Sequence, residues 1–106
     1  MKVGVVIYSG DAETVWNAFR FGNFTLAMKD EVQVFLIGKG VELESLGTEK
    51  FNMKEQVQAF INQGGKIWAC GTCLKLHELP APANSSVATL NDLYWLVKES
   101  DRLINF

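Results

Sequence analysis

One histidine, two cysteines and two prolines are all that the sequence holds of those residues, and each scarcity narrows what the chain can do. A closed zinc site takes four ligands. With Cys70, Cys73 and His77 as the whole His and Cys supply, a metal would need a carboxylate or a neighbouring subunit to complete its shell, and no metal or other cofactor is expected. General acid–base hydrolysis finds no second histidine and no paired carboxylates within reach by sequence. Acidic residues outnumber Lys and Arg, 12 against 10, for a formal net charge of −2. No basic run occurs, so nothing equips the chain to neutralise the phosphates of a nucleic acid. The G-x-G-x-x-G and G-x-x-x-x-G-K-[ST] spacings that cradle nucleotide phosphates are absent as well, and Asp11 in the first loop would repel them.

Long apolar stretches are also missing. A membrane helix needs roughly 20 apolar residues; the opening run Val3 to Tyr8 is only a strand's length and carries no cleavage site behind it. The expectation is a cytoplasmic protein with no membrane partner. In that compartment Cys70 and Cys73 rest as thiols, and a structural disulfide is not their expected use.

What is present is a chain of 106 residues, 48% apolar and 21% charged, the composition of one folded domain spanning 1–106. Lys2 to Tyr8 is apolar without alternation, as in a strand buried on both faces, and ends in the turn Ser9-Gly10-Asp11. Asp11 can cap a helix from Ala12 to about Met28. Val32 to Ile37 makes a second buried strand, closed by Gly38-Lys39-Gly40, and a looser stretch runs from Val41 to Lys50. Met53, Val57, Phe60 and Ile61 fall at helical spacing within Asn52 to Gln63, and Gly64-Gly65 supplies a left-handed stop. Lys66 to Ala69 reads as the third strand, Cys70-Gly71 as the turn after it, and Thr72 to about Glu78 as a short helix. A loop carrying Pro80 and Pro82 leads to a fourth strand around Ser86 to Ala88. Asn91 to Ser100 is helical, with Leu93, Leu96 and Val97 on one side, and Arg102 to Phe106 forms the last strand. Strand and helix alternating to the end imply a three-layer α/β/α sandwich around a mainly parallel five-stranded sheet, joined by right-handed crossovers.

The first helix has more apolar residues than one buried stripe uses. Val15, Phe19, Gly22 and Leu26 can face the sheet, which leaves Trp16, Phe21, Phe24, Ala27 and Met28 for a second contact, either as scattered surface groups or as a subunit interface. Together with Tyr94 and Trp95 on the last helix, this surplus points to an oligomer.

Ligands of open parallel sheets bind outside the carboxyl ends of the strands, which selects the loops Ser9-Gly10-Asp11, Gly38-Lys39-Gly40 and Cys70-Gly71-Thr72-Cys73. Only the last holds a reactive group. Cys70 leaves a strand where a helix begins, a position that favours thiolates, and Gly71 suits a sharp strand-to-helix turn with room for an approaching thiol. The Cys-x-x-Cys spacing serves sulfur transfer, with Cys70 taking a persulfide and Cys73 resolving it. It serves equally dithiol/disulfide exchange. Metal binding through Cys70, Cys73 and His77 is the third use, and burial as small apolar side chains is the bland one. His77 reads as a solvent-facing residue at a helix end, Ser9 and Asp11 as turn and cap residues, and Lys39 as a solvated charge.

The opening V-G-V-V-I-Y-S-G-D, the segment V-x-V-F-L-I-G-K-G-V, the helix ending in Gly-Gly and the run I-W-A-C-G-T-C-L-K-L together resemble the DsrE/DsrF-like family, which includes the sulfur-relay subunits of the TusD type. The resemblance covers the whole chain, and its most specific point is Cys70. It implies that Cys70 is a persulfide carrier, that the protein assembles as a homotrimer or hexamer, and that protein sulfur donors and acceptors are its partners. Gly71-Thr72-Cys73-Leu74-Lys75 looks like a less characterised prokaryotic and archaeal branch. Two further readings stand beside the carrier: a redox module using Cys70 and Cys73, and a non-catalytic oligomeric interaction protein.

Overall fold

A computed structural model describes residues 1–106. Its strands are β1 (Lys2–Ile7), β2 (Glu31–Leu36), β3 (Lys66–Cys70), β4 (Ser85–Ala88) and β5 (Arg102–Asn105). Between them run helices α1 (Ala12–Ala27), α2 (Met53–Asn62), α3 (Gly71–Leu76) and α4 (Leu90–Glu99), with a 3₁₀ helix over Gly38–Ser45. All strand pairings are parallel, and the order across the sheet is β4-β3-β2-β1-β5. The first three crossovers step one way from β1 to β4, and the last returns across the whole sheet to β5. Right-handed connections therefore place α1, α2 and α3 on one face and α4 on the other. This is the expected α/β/α sandwich, with a sheet that is parallel throughout. Strand order was not legible in the sequence, because adjacency in a parallel sheet is decided by which crossovers pack and not by local pattern.

The α1–α2 face is the fuller one. Val5, Ile7, Val34 and Leu36 from the sheet meet Val15, Ala18 and Phe19 of α1 and Phe60 of α2, all fully enclosed. Phe19 and Phe60 pack edge to face with ring centroids 5.4 Å apart, a geometry that aromatic quadrupoles favour. Gly22 allows this closeness, since a Cβ there would lie 3.0 Å from the Phe60 ring. As expected, Asp11 caps α1, its carboxylate accepting the Thr14 N–H at 3.0 Å and the Thr14 hydroxyl at 2.9 Å. Gly64 ends α2 in the left-handed region at φ 91°.

Several expectations give way. Leu26 is only half-buried, while Ala18 and Thr25 join the inward face of α1, which is therefore centred one residue earlier. Trp16, assigned to the surplus, packs against Phe51 at 5.4 Å with Arg20 over its ring at 4.6 Å. Phe21, Phe24 and Met28 remain exposed. Val41 to Lys50 is not uniformly loose: the 3₁₀ helix seats Val41 and Leu43 in the core. On α4 only Leu96 is buried, and Val97 lies outside. The contact there is narrow because α4 approaches β1 over Gly4, where a Cβ would meet Ser100 Oγ at 2.7 Å.

Gly38-Lys39-Gly40 is more than a turn, and its two glycines have different reasons. Gly38 takes φ +57°, which disfavours a residue with a Cβ. Gly40 lies directly against the Ile7 carbonyl, so that a Cβ would collide with backbone; that carbonyl also accepts the Ile37 N–H at 3.0 Å and cannot retreat without loosening the β1–β2 junction. Gly40→Ala is expected to lower stability by about 1–3 kcal/mol, the range for overpacking, read as a lower urea midpoint. An unchanged midpoint would contradict this packing.

Candidate functional site

The register of the three strands β2, β3 and β4 brings their carboxyl ends level. Leu36 stands opposite Ala69, and Cys70 opposite Ala88. The chain segments that continue from them, Ile37-Gly38, Gly71 to Cys73 and Thr89-Leu90, emerge side by side. Between them is an open cleft of ≈ 450 Å³ whose walls include Ile37, Cys70, Cys73, Lys75, Ala88 and Leu90.

Cys70 is the last residue of β3 and at the same time the N-cap of α3. The strand thus runs one residue further than expected and the helix starts one residue earlier, at Gly71. Alternation along β3 puts Cys70 on the same sheet face as Trp68, whose indole N–H donates to Gln33 Oε1 at 2.8 Å. Cys70 is 4% exposed and forms part of the cleft wall. Gly71 is glycine for closeness and not for a left-handed turn: a Cβ there would lie 3.1 Å from Val87 Cγ1 and 3.5 Å from the Ala88 carbonyl oxygen. Leu74, one turn after Cys70 and Gly71, is the buried residue that anchors this short helix to the core.

Cys73, one helical turn on, is half-buried, and both cysteines are free thiols. Its sulfur accepts the Gly38 N–H at 3.2 Å. Burial pushes the Cys73 thiol above the usual cysteine range; the Gly38 N–H, which favours the thiolate, opposes that rise, and the adjacent Cys70 thiol adds to it. Cys73 accordingly keeps its proton at neutral pH. The two thiols lie together at the cleft, Cys70 nearly enclosed in its wall and Cys73 half-buried beside the Gly38 N–H.

The other candidates are elsewhere. His77 is not a loose helix end: it caps α3, and its Nδ1 lies 2.9 Å from Glu42 Oε1 of the 3₁₀ helix, both side chains about two-thirds covered. It braces the two elements against each other and does not line the cleft. No group of three or more His, Cys, Asp or Glu side chains is placed to hold a metal. Ser9 and Asp11 bond to one another, Ser9 Oγ accepting the Asp11 N–H at 3.0 Å, and the Lys39 stem lies over Gly10. Sequence reasoning missed the Gly38 amide, which no residue pattern announces. It also missed the wall formed by Thr89 and Leu90. That wall had a readable signal: Thr89 and Asp92 form a capping box, with Asp92 Oδ2 accepting the Thr89 N–H at 2.8 Å, and such a start marks the loop after β4.

Comparison with known proteins adds to the geometry. The sequence pattern of the DsrE/DsrF-like family matches residues 1–106. An uncharacterised protein of Methanopyrus kandleri is 38% identical over 100 residues, which is 89% of this chain and 83% of that protein. An uncharacterised protein of Methanocaldococcus jannaschii is 32% identical over 114 residues, covering both chains completely. Among solved structures, the ychN protein of E. coli superposes with a TM-score of 0.84 over all of both chains at 20% identity, a likeness of fold.

Proposed function

The chain belongs to the DsrE/DsrF-like family, and from that premise we propose that it is a cytoplasmic sulfur carrier that holds sulfane sulfur as a persulfide on Cys70. The observation that carries the proposal is the pair of free thiols side by side in an open cleft at the carboxyl edge of a parallel sheet, in a family associated with sulfur relay. No helix is long and apolar enough to cross a membrane.

Loading is a thiolate attack on the outer sulfur of a donor persulfide. A bond forms from Cys70 Sγ to that sulfur, the donor's own S–S bond breaks, and the donor leaves as a thiolate. Delivery to an acceptor protein is the same exchange in the other direction. Cys73 offers a second exit. Once deprotonated it attacks Cys70 Sγ, forming a Cys70–Cys73 disulfide and expelling hydrosulfide; the two thiols are oxidised by two electrons as the sulfane sulfur is reduced. Two equivalents of an external thiol, or one dithiol, then restore the pair and leave as their own disulfide. The adjacency of the thiols also supports the redox-module reading, in which that disulfide is the working state and no sulfur is carried.

Docking requires surface, and the molecule has apolar surface uncovered. Phe24 on α1 and Met28 just after it are 66% and 63% exposed, and Leu90 and Tyr94 are 67% and 55% exposed on α4. We assign the α1 group to self-association as a homotrimer or hexamer, and the α4 group, which reaches the cleft at Leu90, to the donor and acceptor proteins.

Intact mass after incubation with a polysulfide is expected to show a gain of about one sulfur, roughly 32 Da, that reductant removes. Cys70→Ser should abolish it, and Cys73→Ser should load and then hold the sulfur longer; full loading of Cys70→Ser would refute the carrier. Light scattering is expected to give a multiple of the chain mass that Phe24→Glu reduces. A monomer at micromolar concentration would remove the self-association assignment.

A further inference from the structure

We propose that the backbone amide of Gly38 is a positioning group for the sulfur chemistry, holding the Cys73 sulfur and stabilising its thiolate as it turns on the Cys70 persulfide. The inference rests on the carrier reading above and deepens it. Gly38 N–H donates to Cys73 Sγ at 3.2 Å and has no backbone acceptor. It is one of the first N–H groups of the 3₁₀ helix, which by construction lack partners within it. A neutral thiol is a weak acceptor and a thiolate a strong one, so the bond gains strength when Cys73 loses its proton. Burial opposes that ionisation, and the amide is the one neighbour that favours it.

The donor is set before the charge appears. Ile37 is extended, with φ −136° and ψ 155°, and the left-handed turn at Gly38, φ +57°, redirects the chain there. Three contacts hold the turn: Gly40 against the Ile7 carbonyl, Val41 and Leu43 in the core, and Glu42 on His77. Such fixed donors require no rearrangement as charge develops. The balanced step is the one already described: Cys73 gives its proton to solvent, its sulfur bonds to Cys70 Sγ, the bond from Cys70 Sγ to the outer sulfur breaks, and hydrosulfide departs. Disulfide formation then removes the charge from Cys73 and with it most of the attraction to the amide. The titratable and charged groups around this sulfur are Cys70 and Lys75 in the cleft, Lys39 beside Gly38, and the His77–Glu42 pair one turn beyond.

The test begins without any sulfur donor. In Cys70→Ser protein labelled with ¹⁵N, the Gly38 amide resonance is followed against pH while the alkylation rate of Cys73 is measured on the same samples. The proposal expects the Gly38 proton to move with the midpoint at which Cys73 becomes reactive, and to stay still when Cys73 is also changed to Ala. A Gly38 resonance indifferent to Cys73 overturns it. Gly38→Ala, strained at positive φ and so displacing the amide, is then made in the otherwise native chain. Measured per loaded molecule, hydrosulfide release should be about tenfold slower than in the native chain, in keeping with the loss of a charge-assisted hydrogen bond; release at the native rate by a folded variant also overturns the proposal. If the native chain never loads, the carrier reading fails, while the amide titration still decides on Gly38.

Discussion

Parallel pairing of β2 with β3 is the constraint on which the site depends. With Leu36 opposite Ala69, the two strands end within one residue of each other, and Ile37-Gly38 after β2 and Cys70 at the end of β3 enter the same space. A slip of one residue would turn every side chain of β3 to the other face, taking Cys70 out of the cleft and exposing Ile67 and Ala69, both now enclosed. The register is thus held by the core, and the thiol inherits its position from the hydrophobic packing beneath it. β4 extends the same logic, since Ala88 opposite Cys70 sets where α4 begins and where the far wall of the cleft stands.

Above that frame the chain makes a compromise between burial and reactivity. Enclosing a thiol raises its pKa, which protects Cys73 from adventitious oxidation but also slows it as a nucleophile. One backbone N–H, aimed by a glycine in a conformation other residues avoid, offsets part of that penalty without adding a charged side chain. Lys75 is the only cation lining the cleft, and the walls are otherwise mostly apolar.

Much of this was legible in the sequence because it is written in local chemistry. The unbroken apolar runs at Val3 and Val32 specify doubly covered strands, Asp11 and Gly64 bracket their helices as drawn, and Cys70 stands where a strand meets a helix. Other features depend on what comes near in space. Gly38, Gly40 and Gly71 look alike in the sequence, yet one is there for its dihedral angle, one for a carbonyl of β1 and one for the side chain of Val87. The 3₁₀ helix was hidden because its glycine-rich opening has the composition of a loop, and its two core residues, Val41 and Leu43, follow no helical period. Trp16 falls outside the buried stripe that the sequence shows because its partner, Phe51, lies in a segment with no regular structure of its own. The Gly38–Cys73 hydrogen bond joins residues 35 apart in the chain, one of them through its backbone, and no side-chain pattern encodes it.

The most direct test of the account is a crystal structure of the protein after exposure to polysulfide, with anomalous scattering used to locate every sulfur atom. The account predicts one additional sulfur bonded to Cys70 Sγ and projecting into the cleft, with Cys73 still a separate thiol beneath the Gly38 amide. Unmodified Cys70 in crystals whose Cys73, or no cysteine at all, carries the added sulfur would contradict it.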